Sequence, residues 1–202
     1  MIIDNFQVWR IAIGYLLPQC KDSWTKQGFE VNHYAAITPA NMPNFLKYGT
    51  KDRPVNSIKK HKLAAFTETE KAIGYSHFTL WKKCLDSNTP FVIIEQDNIL
   101  TEKFPTTWRL YRLKYFCQAS KPDRYSPTKK RKFTPAAGYV LTPEGAEFII
   151  NHTLNKPEQQ SNVDHMISTG RDRNPRSWCI KYAEQYDDQS ETIEHDEWSE
   201  HQ

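Results

Sequence analysis

The sequence has few of the residues that nucleotide-cofactor loops, zinc sites and membrane spans require. Only seven of its 202 residues are glycine, and no glycine-rich loop follows a strand, which excludes Rossmann and P-loop phosphate sites. Its four cysteines are scattered without a CxxC pair, so we expect free thiols and no zinc site. The longest apolar run, residues 11–17, is far shorter than the roughly 18 residues that span a bilayer.

Acidic and basic residues are separated along the chain. Residues 184–202 hold eight of the 24 carboxylates and no lysine or arginine, which leaves 27 basic against 16 acidic residues, or +11, in residues 1–183. This charge is typical of contact with a polyanion, and the acidic segment either shields the basic surface or is simply solvated. We expect one domain over 1–183 and an acidic, flexible tail over 184–202.

The amino terminus reads MIIDNF, without a basic region that leads into an apolar segment, so it does not resemble a secretory signal. Together with the free thiols, this predicts a cytoplasmic protein, or one in the host cytoplasm if it is viral.

Alternating strand and helix patterns predict an α/β fold. Residues 7–15 and 29–37 are rich in β-branched and aromatic residues and are expected to be strands, with a short helix or loop at 18–28 between them. Residues 91–94 form an apolar run that is stable only when it is covered on both faces. Residues 136–141 predict another strand, which Thr142 and Pro143 connect to a helix. The type of element in residues 104–119 stays open.

A helix is predicted to begin after Thr67, because Thr67 and Glu70 have the spacing of a capping box. Its apolar positions recur at helical spacing and form one stripe, which turns His77 inward; the stripe consists of Ile73, His77, Leu80, Trp81 and Cys84. A histidine at such a position is either a core residue or part of a site.

Two carboxylates, Glu95 and Asp97, come directly after the apolar strand 91–94. Ligands of open α/β sheets bind at the carboxyl ends of strands, so these acids are expected at the ligand-binding edge of the sheet. We expect them to project from alternate positions of an extended segment and to share one divalent cation that holds a diphosphate. The alternative is that they are ordinary loop acids or helix caps.

Two further clusters could carry chemistry. Asp164 and His165 offer a carboxylate and an imidazole side by side, suited to general base catalysis or metal binding, although a lone histidine is more often structural. A basic segment with interleaved tyrosines is typical either of phosphate and base contacts or of a solvated loop. Its basic run consists of Lys129, Lys130, Arg131 and Lys132, preceded by Arg112, Lys114 and Arg124 and by the tyrosines Tyr111, Tyr115 and Tyr125.

Taken in order, four segments resemble glycosyltransferase family 25, the lipopolysaccharide-type and collagen-type galactosyltransferases. The segments are GYSHFTLWKKCL, FVIIEQDNIL, AAGYVLTPEGAEFII and NVDHMI, and the earlier QGFEVNHYAAITP resembles the second strand of that family. The resemblance covers residues 27–168. It departs from the family at Gln96, where the family has a third acid, and at the first strand, which reads FQVWRIAIGYLLPQ in place of a V-I-N-L-D-R pattern.

The resemblance implies a single-domain glycosyltransferase A-type fold, an α/β sandwich of the nucleotide-diphospho-sugar transferases. It implies that Gly74, Ser76, His77 and Glu95 lie at the donor. It also implies that Glu95, Asp97 and His165 hold Mn²⁺ or Mg²⁺, and that Asp164 is the catalytic base. An inverting, direct displacement by an acceptor hydroxyl follows from the family mechanism.

Three functions remain open from the sequence. A glycan or lipopolysaccharide acceptor is the norm for the family. The +11 body and the basic run 129–132 would also suit a hydroxymethylated base in viral DNA, which would have to be flipped out or reached in a groove. A family member without catalytic turnover, which binds sugar or nucleic acid, is the third.

Overall fold

The structure is a computed structural model and describes residues 2–14, 18–43, 53–54, 63–64, 67–100, 102–109, 115–117, 138–155, 163 and 183–185. Its helices are α1 (Pro18–Thr25), α2 (Glu68–Ser87) and α3 (Pro143–Asn155), with a 3₁₀ turn at Pro39–Asn41. Its strands are β1 (Ile2–Ile3), β2 (Gln7–Ala12), β3 (Val31–Ala35), β4 (Arg53–Pro54), β5 (Leu63–Ala64), β6 (Phe91–Glu95), β7 (Asn98–Leu100), β8 (Trp108–Arg109), β9 (Tyr115–Cys117), β10 (Gly138–Leu141) and β11 (Ala183–Gln185).

A five-stranded sheet with the order β3-β2-β6-β10-β9 forms the centre of the molecule. Strands β3, β2 and β6 are parallel, whereas β10 pairs antiparallel with both β6 and β9. The predicted α/β class is therefore confirmed, with a mixed sheet. The strands expected at 7–15, 29–37 and 136–141 are present in shorter form, and α1 occupies part of the segment 18–28.

Strand β6 is buried on both faces, as its apolar run predicts. Phe91, Val92, Ile93 and Ile94 are each 0% exposed. Phe91 and Ile93 pack with α2 and α3 in one apolar cluster, while Val92 and Ile94 pack with Trp24 of α1 in a second. Side chains alternate across a strand, so β6 connects the two helical layers. Burial of one such side chain stabilises the fold by about 1.5–3 kcal/mol.

Helix α2 begins where the capping box places it. The hydroxyl of Thr67 accepts from the Glu70 backbone N–H at 3.1 Å, and a Glu70 carboxylate oxygen accepts from the Thr67 N–H at 3.0 Å. The helix ends at Ser87, and its C-cap residue, Asn88, adopts φ +49°. The predicted stripe is confirmed: Ile73 is partly buried and His77, Leu80, Trp81 and Cys84 are buried, while Lys82, Lys83 and Asp86 are exposed.

Helix α3 begins as predicted after Thr142, whose hydroxyl accepts from the Gly145 N–H at 3.1 Å. It packs against α2 on the same face of the sheet, and Ala146 and Ile149 join the apolar cluster there. This packing fixes the strand that precedes α3, because β10 and α3 are joined only by Thr142.

The segment whose type the sequence left open, 104–119, contains two strands among its described residues, β8 and β9. Strand β11 pairs antiparallel with β7, with Glu184 opposite Ile99. The predicted boundary between a domain over 1–183 and a tail over 184–202 thus falls inside β11. Residues 186–202 lie outside the described part of the chain, and the division itself stays a prediction.

Arg10 is a buried cation on the α1 side of the sheet. Its side chain is 0% exposed, and its Nη2 donates to the backbone oxygen of Cys20. Its Nε and Nη1 are buried and have no hydrogen-bond partner among the described residues. Burial lowers the pKa of Arg10, partly offset by the nearby Cys20. A guanidinium this poorly solvated opposes folding.

Replacing Arg10 by methionine should therefore leave the free energy of unfolding unchanged or raise it, by up to about 4 kcal/mol. The Cys20 oxygen keeps a partner in this variant, because it also accepts from the Ser23 hydroxyl at 3.2 Å. Urea unfolding measures the change. Ile94→Ala, at the register position opposite Arg10, is the control and should lose about 2–5 kcal/mol. A clear loss for Arg10→Met would show that the guanidinium stabilises the fold.

Removal of the cap should destabilise α2 measurably. Thr67→Ala deletes the hydroxyl that accepts from Glu70 and should lower the free energy of unfolding by about 1 kcal/mol. Thr69→Ala, the same substitution inside the first turn, is the matched control and should be neutral or slightly stabilising, because alanine has the highest helix propensity. Equal effects of the two substitutions would contradict a capping role.

Candidate active site at the carboxyl edge of the sheet

The carboxyl ends of β2, β3 and β6 meet at one edge of the sheet because these strands are parallel. Glu95 is the last residue of β6, and Gln96 and Asp97 form the turn that follows. The prediction that acidic side chains lie at the carboxyl end of this strand is confirmed. This edge is the position at which open α/β sheets bind ligands.

Glu95 is held from the α2 side by a histidine. Its Oε1 lies 3.3 Å from His77 Nε2, and its side chain is 27% exposed while that of His77 is 1% exposed. His77 Nδ1 lies 2.8 Å from the Tyr139 hydroxyl, which also accepts from Trp81 Nε1 at 2.7 Å. The carboxylate is thus the exposed end of a buried chain of hydrogen bonds.

Gln96 connects β6 to the neighbouring strand. Its side-chain Oε1 accepts from the backbone N–H of Ile13 at 2.8 Å, across 83 residues of sequence. Ile13 is the residue after β2, and Gly14 beyond it adopts φ +67°, where glycine is favoured. The residue that departs from the family pattern therefore fixes the turn against the end of β2.

The geometric expectation for Glu95 and Asp97 is wrong, because the chain turns at 96–97 and does not remain extended. Glu95 forms a hydrogen bond with His77 on the α2 side, whereas the negative charge of Asp97 acts on the Cys20 thiol on the α1 side. Burial raises the pKa of the Cys20 thiol; the Arg10 guanidinium lowers it and the Asp97 carboxylate raises it. The two acids thus interact with different helical layers.

The residues of the helix motif lie on the buried side of α2. Gly74, Ser76 and His77 are all buried. The Ser76 hydroxyl accepts from the Ile37 N–H at 2.8 Å and donates to the Ala72 oxygen at 3.0 Å. Ser76 thereby joins α2 to the segment that follows β3, at the same edge as Glu95. Direct contact of these three residues with a donor stays a prediction.

Among the residues that the structure describes, no group of three or more His, Cys, Asp or Glu side chains is arranged to hold a metal ion. The predicted base Asp164 and ligand His165 lie outside the described residues. So does the predicted acceptor contact, which consists of Lys129, Lys130, Arg131 and Lys132. Their roles stay predictions.

Cys20 and Cys84 suit a structural role. Cys20 and Cys84 are free and buried, in line with the expected free thiols. Burial raises the pKa of Cys84 to about 12, and its thiol donates to the Thr89 oxygen at 3.2 Å. A nucleophilic cysteine requires a lowered pKa, so Cys84 is inert.

Sequence reasoning did not single out Tyr139, although the structure places its hydroxyl next to His77. One signal was available: Tyr139 is the single residue with a polar side-chain group in β10, which is otherwise Gly138, Val140 and Leu141. A buried tyrosine hydroxyl requires a hydrogen-bond partner. The identity of that partner depends on the pairing of β10 with β6, which the sequence does not specify.

None of the helices in the described part of the chain has the length and apolar character needed to cross a membrane.

Comparison with known proteins gives one family match and one curated relative. The pattern of glycosyltransferase family 25, described as an LPS biosynthesis protein family, matches residues 19–115. This range includes the helix motif at 74–77 and the acids Glu95 and Asp97, but not Tyr139, Asp164 or His165.

One curated relative is the lipooligosaccharide biosynthesis protein lic2B of Haemophilus influenzae, 28% identical over 114 residues. The match covers 44% of this chain and 43% of that protein, so it spans less than half of the relative's length. The motifs within residues 19–115 and the two comparisons agree, and over this range the chain is similar to glycosyltransferase family 25.

Proposed function

We propose that this protein is a glycosyltransferase that transfers a sugar from a nucleotide diphosphate sugar to a hydroxyl of a saccharide acceptor. The observation that carries the proposal is the position of Glu95 in a chain that matches this family over residues 19–115. Its carboxylate follows the central strand at the ligand-binding edge, and His77 holds one of its oxygens. A pre-oriented, partly exposed carboxylate is suited to the charged end of a donor.

The fold we propose is of the glycosyltransferase A type. Three parallel strands with covered faces and an acidic turn at their carboxyl edge support it. In such a sheet the donor would lie across the ends of β2 and β6, where the bond between Gln96 and Ile13 holds the two strands together.

The cation we propose at this edge is a hard divalent one, Mn²⁺ or Mg²⁺, the kind that carboxylate oxygens bind. In the described part of the chain, Glu95 Oε1 bonds His77 while Oε2 makes no hydrogen bond. Magnesium is commonly held by one or two carboxylates together with substrate phosphates. Glu95 would hold the ion, with His165 as a further ligand, and the ion would offset the charge of the diphosphate. Asp97, whose charge acts on Cys20 on the α1 side, would join the ion only after a rotation of its side chain.

The chemistry we propose is a direct displacement with inversion. Asp164 would accept the proton of the acceptor hydroxyl as its oxygen attacks the anomeric carbon, and the nucleoside diphosphate would leave. Gly74, Ser76 and His77 would form the donor side of the site by fixing α2 against this edge, as the hydrogen bonds of Ser76 and His77 support.

A saccharide is the acceptor that the comparisons favour, because the matched relative is a lipooligosaccharide biosynthesis protein. The competing DNA acceptor depends on the basic run 129–132, and no described contact supports it.

The first experiment tests the donor and the cation. A panel of nucleotide sugars with Mn²⁺ should raise the melting temperature, since a ligand at 100 times its Kd stabilises by about 2.7 kcal/mol. Asp97→Asn and Glu95→Gln should abolish both the Mn²⁺-dependent shift and sugar transfer without unfolding the protein, because each removes one negative charge at the edge.

Asp86→Asn is the matched control for this experiment. Asp86 is an exposed acid at the end of α2 that precedes β6, so its loss should change neither readout. Full Mn²⁺-dependent transfer by Asp97→Asn would refute the metal assignment. Binding of saccharide without transfer or hydrolysis of any common nucleotide sugar would favour the member without turnover.

The second experiment tests the acceptor. With the donor identified, mass spectrometry should detect one added sugar on lipooligosaccharide-type saccharides and none on duplex DNA that carries hydroxymethylated bases. Transfer to the saccharide should depend little on salt, because it does not require neutralisation of a row of phosphates. Transfer to DNA alone, with a steep loss between low and moderate salt, would refute the saccharide acceptor.

A further inference from the structure

Four side chains from three elements form a continuous chain of hydrogen bonds that ends at the exposed carboxylate. Trp81 and His77 lie one helical turn apart on α2, Tyr139 is on β10, and Glu95 ends β6. The distances are 2.7 Å from Trp81 Nε1 to Tyr139 Oη, 2.8 Å from Tyr139 Oη to His77 Nδ1, and 3.3 Å from His77 Nε2 to Glu95 Oε1.

The chemistry of the two ends gives this chain a direction. An indole N–H can only donate, so Tyr139 Oη accepts from Trp81. An ionised carboxylate can only accept, so His77 Nε2 carries the hydrogen that it shares with Glu95. In a neutral imidazole the other nitrogen is then an acceptor, and Tyr139 donates its hydroxyl hydrogen to Nδ1. Every hydrogen in the chain points toward Glu95.

We propose that Tyr139 is a positioning residue of the donor site, which fixes His77 in the Nε2–H tautomer and so holds Glu95 for the donor complex. The inference rests on the proposed function for its consequence, though not for the tautomer. In the opposite tautomer Nε2 would have no hydrogen and would present a lone pair to the carboxylate, so Glu95 would lose its one described hydrogen bond.

Packing alone does not require the hydroxyl of Tyr139. The ring is 0% exposed and stacks on His77 with centroids 5.7 Å apart and planes 20° from parallel. A phenylalanine would keep this stacking and the place of the ring in the apolar cluster. Tyr139→Phe thus removes the polar link and leaves the shape of the core unchanged.

The tautomer is measured directly by ¹⁵N NMR of the full chain labelled at histidine, at one pH near neutrality. The His77→Asn variant assigns the signals. The wild type should show His77 protonated at Nε2 and not at Nδ1. In Tyr139→Phe the protonation of Nδ1 should become appreciable, because the donor to Nδ1 is gone.

The consequence for Glu95 is measured with Mn²⁺ alone, by electron paramagnetic resonance of the free ion. Loss of an outer residue that orients a metal ligand typically weakens metal binding by 10–100-fold, and Tyr139→Phe should fall in about this range. Trp81→Phe is the matched control. It removes the other bond to the same hydroxyl but leaves Tyr139 able to donate to His77, so both the tautomer and the Mn²⁺ affinity should stay unchanged.

Two outcomes would overturn the proposal. A hydrogen on Nδ1 in the wild type, alone or together with one on Nε2, refutes the tautomer whether or not the protein transfers sugar. A tautomer that shifts in Tyr139→Phe with unchanged Mn²⁺ affinity refutes the positioning role.

If Tyr139→Phe is unstable because the Trp81 N–H is left buried without an acceptor, the double variant Tyr139→Phe, Trp81→Phe removes both partners and gives the same readouts. Failure of the proposed function is separate: it would appear as no transfer with any donor, while the tautomer measurement still succeeds.

Discussion

The structure depends on the burial of one strand from both sides. Strand β6 contributes Phe91 and Ile93 to the cluster under α2 and α3, and Val92 and Ile94 to the cluster that includes Trp24 of α1. Both helical layers pack against it, and it pairs with β2 on one side and with β10 on the other. Because β6 is packed on both faces, Glu95, which follows its apolar run, has a defined position at the edge of the sheet. The position of this site residue is therefore set by the packing of the core.

Local features of the fold were predictable because they depend on residues close in sequence. Thr67 and Glu70 define the start of α2, and the apolar spacing of α2 identifies its buried face, including His77. Long-range features were not. The antiparallel pairing of β10 with β6 has no local signature, so the contact of Tyr139 with His77, 62 residues apart, did not follow from the sequence. The turn at 96–97 does not follow from the E-x-D pattern, which equally suits an extended segment. The strand after the turn, β7, pairs with the distant β11 near the end of the described chain, and this pairing has no local signature.

The site combines a family motif with bonds particular to the fold of this chain. The serine and histidine of the helix motif act in different directions: Ser76 joins α2 to the segment after β3, and His77 joins it to β6 and β10. A motif of this kind holds the edge of the sheet in place through buried hydrogen bonds, and its residues can be essential without touching a substrate. This explains why Ser76 and His77 are buried although they belong to a motif that an enzyme family shares.

Gln96 occupies the position at which the resembled family has a third acid, and its side chain still fixes the geometry of the turn. Its amide oxygen accepts from the Ile13 N–H, and a carboxylate at this position could accept from the same backbone donor while it adds one negative charge to the edge. Under the proposed function, glutamine at this position would leave Glu95 and Asp97 to balance one doubly charged cation. The edge then repels the phosphates of a donor less than a triacidic edge would, since like charges weaken the binding of an anion in a site of low dielectric constant. Under the proposed function, glutamine would weaken retention of the cation in the absence of the diphosphate, so the cation and the donor would be expected to arrive and leave as one complex.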